Sequence, residues 1–379
     1  MPKPMCDSTI LRTAPIVASL LIGAILLAGC STQDESALER GDPTSGDPAE
    51  SVTETVPSVP DAVIAGNPAG EAILDPDGPR LAYPSTGLTD TIPGSAWTVA
   101  DWEIFRNAVT TASAARVVEL PLGDAVGRVG SLFVGWPYTP QTLEAPWLEA
   151  TEAGAPMDGS LERLVINLRE FDCVSFVENV LALTWFVRTH GTDLLGDPEA
   201  ARATYEDLIV SLRYRDATMD GYASRLHYFT EWLGDNARRG SLELIHPELD
   251  PAFDDEPIDF MTTHVEAYPA LADDPETVAR IGRMEARLNA DLPRPWVPDD
   301  RISAVSDRIR TGDVIAATST VEGLDVAHTG IAVRLDGEIH LMHAPLVGSE
   351  VQISPVPLAD RIARIEGQDG ILVARPLER

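Results

Sequence analysis

The sequence predicts an α+β fold in which one helix carrying Cys173 packs on an antiparallel sheet drawn mostly from the C-terminal third. Three observations lead there. Asp172-Cys173-Val174-Ser175-Phe176 opens an apolar helical run that Gly191 can close. His328 to Ala344 holds two strand-like runs joined by Asp336-Gly337, a strong two-residue hairpin signal. Further strand-like segments near 313–319, 350–355 and 371–376 supply neighbours for that hairpin.

Taken in chain order, the N-terminus reads as a targeting segment (1–29). Lys3 and Arg12 precede the apolar stretch Ala14 to Ala28, which is shorter than a comfortable membrane span. It ends Leu27-Ala28-Gly29-Cys30 and resembles a bacterial lipobox, which implies acylation at Cys30 and anchoring by lipid chains. Ser31 follows where an inner-membrane retention signal would carry Asp, so in a Gram-negative source the periplasmic side of the outer membrane is the expected location. Residues 30–95 are rich in Ser, Thr, Asp, Glu, Pro and Gly and read as a disordered acidic tether. The folded domain is expected over 96–379.

Within that domain, Thr98 and Asp101 form a capping-box start to a helix through Ala115, and a second helical piece spans Asp124 to Phe133. Leu161 to Leu168 reads as an apolar strand. Asp172 is the N-cap of the next helix, with Cys173 in its first turn. Phe176, Val177, Val180, Leu183 and Val187 recur at helical spacing, so one face of that helix should be buried. A mostly helical insertion follows at about 190–300, with one helix opening at Asp197-Pro198 and another over Ser224 to Arg239. His227 reads as a partly buried helix residue and Asp250 to Asp259 as a solvated loop.

The hairpin register has chemical consequences. With Asp336-Gly337 as the turn, Leu335 faces Glu338 and Gly330 faces His343. Side chains alternate along a strand, so His328 shares a face with Gly330 and becomes a diagonal neighbour of His343, within roughly 7–8 Å at Cα. His340 points to the opposite face. A thiol at a helix start, where the macrodipole favours an anion, together with a histidine pair supplies a nucleophile, a base and a group that orients the base. Cys6 lies in the targeting segment and Cys30 at its processing site, leaving Cys173 as the thiol of the mature domain.

On these residues the chain resembles the NlpC/P60 cysteine peptidases. Asp172-Cys173, His328-Thr-Gly-Ile and His343-Ala344 match their three motifs in order. The stretches Gly135 to Leu143, Phe171 to Leu183, Arg213 to Asp216, Ser224 to Phe229 with Trp232 and Asn236, Gly312-Asp313 and Leu324 to Gly330 resemble the DUF1460 branch, which is N-acetylmuramoyl-L-alanine amidase-like. The resemblance covers roughly 98–379. It implies a papain-like fold and hydrolysis of the amide between N-acetylmuramic acid and L-alanine in peptidoglycan or muropeptides. Cys173, His328 and His343 would be catalytic, and no cofactor or metal would be required. Tyr138 and Asp172 would line the site. Arg213 and Arg225 would hold stem-peptide carboxylates through bidentate guanidinium contacts. Many endopeptidases of the superfamily carry Asp-Cys-Ser where this chain has Asp-Cys-Val-Ser, a change that fits the amidase branch.

The alternatives are a γ-D-glutamyl-diamino acid endopeptidase using the same triad and a non-catalytic peptidoglycan-binding lipoprotein. A zinc site on His328, His340 and His343 is disfavoured by strand alternation. A formal net charge of -32 argues against nucleic acid as a partner, since phosphates demand Lys and Arg clusters and Lys3 is the only lysine.

Overall fold

Capping chemistry sets the first helix. In the computed structural model, which describes residues 80–155, 161–346 and 348–379, the Thr98 hydroxyl accepts from the Asp101 amide at 3.0 Å, and the Asp101 carboxylate accepts from the Thr98 amide. Helix α1 then runs Val99–Ala114, followed by α2 (Leu122–Ser131) and α3 (Ala145–Ala153). Asp172 caps α4 (Cys173–His190), which Gly191 ends at φ 55°. Asp197 caps α5 (Pro198–Arg213) by accepting from the Ala200 amide. Next come α6 (Phe229–Arg238), the single turn α7 (Phe260–Thr263), α8 (Pro275–Leu288), α9 (Asp299–Val305) and α10 (Leu358–Arg364).

The strands are β1 (Leu242–Leu244), β2 (Ala252–Asp254), β3 (Arg294–Pro298), β4 (Val314–Ser319), β5 (Val326–Leu335), β6 (Glu338–His343), β7 (Gln352–Ile353) and β8 (Gln368–Pro376). They form one eight-stranded antiparallel sheet in the order β2-β3-β8-β4-β5-β6-β7, with β1 also on β8. Alternation along β4, β5 and β6 divides the apolar side chains between two layers. Val314, Ala316, Ile331, Val333 and Met342 join the large core with α4 and the N-terminal helices. Ile315, Ala317, Ala332, Ile339 and Leu341 pack under α9 and α10. The mixture of helices with an antiparallel sheet is the α+β class expected.

Several elements differ from expectation, each because of contacts with distant parts of the chain. Leu161 to Leu168 is not a strand: the Leu168 amide donates to Asp101 at 2.8 Å and the Val165 carbonyl accepts from Arg213 at 2.6 Å, so side chains take the place of a ladder. Helix α4 is buried on all sides from Ser175 to Val187, because α1, α2, α5 and the sheet surround it. The expected helix from Ser224 starts only at Phe229. Arg225 bridges to Tyr214, and the α6 amide of Thr230 is met from outside by the Asp325 carboxylate at 2.7 Å. His227 therefore sits in irregular chain. The acidic loop at 250–259 contributes β2, and β1 and β3 also come from the insertion, so that segment extends the sheet as well as walling it.

Residues 80–95, expected as tether, also pack on the domain. The Leu81 amide bonds the Leu132 carbonyl at 3.3 Å, the Ile92 amide bonds the Trp97 carbonyl at 2.8 Å, and the Tyr83 ring lies 5.0 Å from that of Trp136. The targeting segment, Cys30 and the tether up to residue 79 lie outside the described residues.

Candidate active site

The start of α4 is held by a closed set of hydrogen bonds around Asp172. One carboxylate oxygen accepts from the Ser175 amide at 2.7 Å, and the Ser175 hydroxyl accepts from the Asp172 amide at 3.0 Å. The other oxygen accepts from both the amide and the hydroxyl of Thr142, at 3.1 and 2.6 Å. This capping box uses the serine two places after the cysteine, and it fixes Cys173 as the first helical residue at the positive end of the macrodipole. Cys173 is partly exposed and forms no disulfide. Asp172, expected to touch substrate, uses both carboxylate oxygens in this anchoring and lines the same cavity as Cys173. Thr142 lies within the family-like stretch 135–143, but nothing in its spacing discloses that it reaches Asp172.

The β5–β6 hairpin has the register that Asp336-Gly337 requires, from Leu335 facing Glu338 to Ile331 facing Met342, with both turn residues at positive φ. Continued by one pair, it sets Gly330 against His343. A Cβ on Gly330 would come within 2.7 Å of the Met342 carbonyl oxygen and 3.0 Å of His343 Cβ, so this approach needs glycine. His328 Nε2 and His343 Nδ1 are 2.8 Å apart, with the rings at 87°. The pair lies on the sheet face of Ala317 and Ala332. At His328 regular pairing breaks, since a bulge accompanies the step from Ala317 to Thr318. His340 points away and bonds the Ser354 carbonyl at 2.8 Å.

Cys173 and His328 line one cavity of about 370 Å³, within the range of small-molecule sites. Tyr138, Tyr228, Phe229 and Tyr268 are the aromatic residues of its wall. His343 does not line it and stands behind His328. Burial, with the nearby Arg361 guanidinium second, pushes both imidazoles well below their ordinary range; His328 adds to the effect on His343. The pair is therefore neutral near pH 7. Among the described residues no group of three or more His, Cys, Asp or Glu side chains is arranged to hold a metal ion.

The two arginines lie beside carboxylates of the protein. Arg213 is 3% exposed and pairs through Nε with Glu178 at 2.8 Å, joining α5 to α4. Arg225 is 4% exposed, lies 3.0 Å from Glu144 and 3.5 Å from Glu162, donates to the Leu143 carbonyl at 2.9 Å and rests on the Tyr222 ring. Both line the cavity, with carboxylates of the protein already beside them. These pairings give both arginines a role inside the fold beside the substrate contact expected of them. Asp325, which lines the cavity and receives the start of α6, has a structural role that sequence spacing did not reveal.

The family model of the N-acetylmuramoyl-L-alanine amidase-like proteins (AmiA-like) matches residues 128–371, a span that contains Cys173, His328 and His343. The chain belongs to this family. An N-acetylmuramoyl-L-alanine amidase from Bacteroides uniformis ATCC 8492 is 32% identical to this amidase-like chain, with a TM-score of 0.58 over 68% of it and 99% of the other. A Bacteroides fragilis protein provisionally named a xylanase is also 32% identical, with a TM-score of 0.56 over 65% of this chain and 98% of the other. No curated protein matches the chain.

Proposed function

We propose that this amidase-like protein is a cell-wall hydrolase that cuts the amide between N-acetylmuramic acid and L-alanine in peptidoglycan or muropeptides, with Cys173 as nucleophile. The observation that carries the proposal is the shared cavity of Cys173 and His328 with His343 bonded behind His328. The family and the Bacteroides uniformis relative support the choice of bond. Cys173 Sγ attacks the lactyl carbonyl, its proton passes to His328, and His328 returns that proton to the departing alanine nitrogen. A thioester remains. Water, deprotonated by His328, cleaves it, releasing the muramyl carboxylic acid and restoring the thiol. The oxyanion develops at the start of α4, where the macrodipole favours negative charge.

The order of the three residues and the helix-on-sheet arrangement support a papain-like NlpC/P60 affiliation. With Nε2 of His328 directed at His343, Nδ1 is the nitrogen left for the thiol, and His343 holds the ring in that orientation. Tyr138 walls the same cavity and would contact substrate. The chain would act from the cell envelope, held to the membrane by acyl chains on Cys30.

Mass spectrometry of muropeptides incubated with the protein tests the bond. Peptides beginning with a free L-alanine amine, together with peptide-free sugar, are expected. A retained disaccharide-dipeptide would instead mark cleavage after D-glutamate and reject the amidase assignment.

A further inference from the structure

Residues 80–98 form a strap that runs over the domain ahead of the span matched by the amidase-like family model, 128–371. Three contacts hold it. The Leu81 amide donates to the Leu132 carbonyl at 3.3 Å, the Tyr83 ring packs on Trp136 with centroids 5.0 Å apart, and the Leu88 carbonyl accepts from Arg169 Nη1 at 2.8 Å. The strap then folds back on the start of α1, where the Gly87 and Asp90 carbonyls accept from the Ala100 and Val99 amides at 3.2 and 2.7 Å. Gly87 makes this return at φ 71°, a conformation strained for any side chain, and a Cβ there would lie 3.4 Å from Val99.

Both side chains that receive the strap stand close in sequence to the catalytic cleft. Trp136 is two places before Tyr138, which walls the Cys173 cavity, and Arg169 is three before Asp172, which caps α4. The two stretches are laced together. The Phe171 amide donates to the Pro137 carbonyl and the Thr139 amide to the Phe171 carbonyl, each at 3.0 Å, and the Thr139 hydroxyl bonds Glu170 at 2.7 Å. Beneath them the Trp136 ring meets Phe133 edge-on at 5.4 Å, and Phe133 meets Phe171 edge-on at 5.3 Å. Tyr83 closes the outer end of this aromatic row. Arg169 Nε meanwhile pairs with the buried Asp101 carboxylate at 3.1 Å, so one guanidinium joins the strap, α1 and the approach to Cys173.

We infer that this strap is a working part of the catalytic domain that holds Tyr138 and the Asp172 cap in place, with Tyr83 as a positioning residue acting through Trp136. For its effect on turnover the inference rests on the proposed reaction at Cys173. A catalytic constellation keeps its geometry only while the residues behind it are locked by packing and hydrogen bonds, and the strap supplies both kinds of support here. The ring of Tyr83 makes the contact with Trp136, so phenylalanine should serve in its place.

The test uses the full-length protein and the variants Tyr83→Ala, Gly87→Val and Tyr83→Phe. Neither position lines the cavity, and Tyr83 is exposed on its outer side, so truncating it opens no internal void. Tyr83→Ala and Gly87→Val should each raise KM for a disaccharide-tetrapeptide by about fivefold and lower kcat by about threefold, while Tyr83→Phe should match wild type. Alkylation of Cys173 by iodoacetamide, located by peptide mapping, should slow by about threefold in the first two variants and stay unchanged in the third, because a loosened cap weakens the hold of the α4 start on the thiolate. Urea unfolding midpoints should be those of wild type. Wild-type kinetics and alkylation in Tyr83→Ala and Gly87→Val would overturn the inference, as would equal losses in Tyr83→Phe or losses that only track a lowered midpoint. If the wild type cleaves no muropeptide, the amidase proposal has failed, and the alkylation rates alone decide the role of the strap.

Discussion

Asp172, Thr142 and Ser175 hold the backbone at Cys173, while the 2.8 Å contact with His343 orients His328. If His328 carries the proton, His328→Ala should lower kcat/KM by about 10²–10⁴-fold. His343→Ala should be milder, and His343→Gln or His343→Asn should keep more activity than alanine because an amide can still bond the neighbouring ring. His340→Ala should remain near wild type, since its bond to Ser354 lies on the other face. Steady-state kinetics on a defined muropeptide, with circular dichroism as the check on folding, compares these variants; an inactive His340→Ala beside a normal His343→Ala would contradict the assignment. The pH profile follows from burial. An imidazole held well below the ordinary 6.5 stays neutral, and so able to accept a proton, until the pH falls to its own lower value. The acidic limb of kcat/KM should accordingly have its midpoint below pH ~6.5. A midpoint above that value would show that the essential base is not the buried neutral imidazole.

The β5–β6 hairpin and α4 are the elements that carry the candidate site, and both were legible in the sequence for the same reason: their signals are local. Asp336-Gly337 fixes a turn and therefore a register, and Asp172 as N-cap fixes a helix start. What was not legible depends on contacts across the chain. Leu161 to Leu168 has a strand's composition but gives its backbone bonds to Asp101 and Arg213, tens of residues away. The late start of α6 depends on Asp325, ninety-five positions from Thr230. The pairing of Arg213 with Glu178 and of Arg225 with Glu144 likewise depends on which helices become neighbours. The register itself can be tested at Gly330, where an added Cβ would press on the Met342 carbonyl and on His343. Gly330→Ala should cost about 1–3 kcal/mol of stability and lower kcat by displacing His343 from His328. Denaturant unfolding together with kinetics measures both. A variant with wild-type stability and turnover would mean that the strands are not paired so closely.

For the whole molecule, an acidic segment separates a domain that begins by residue 80 from the lipobox-like Leu27-Ala28-Gly29-Cys30. Among the described residues no helix is long and apolar enough to cross a membrane. Anchoring through Cys30 is a proposal that the lipobox-like sequence motivates. Cys30→Ser should shift the protein from the membrane fraction to the soluble fraction while leaving the purified domain fully active, as fractionation with an activity assay would show; unchanged membrane retention would refute acylation at that residue. One thiol on a helix start is proposed to cleave the sugar–peptide amide, and release of L-alanine-initiated peptide from muropeptides by wild type and by Cys173→Ala side by side measures this. The alanine variant loses one sulfur from a partly exposed position, so it should fold like wild type. Product formation should fall to background. Continued release of that peptide by a folded, carefully purified Cys173→Ala protein would contradict nucleophilic catalysis by Cys173.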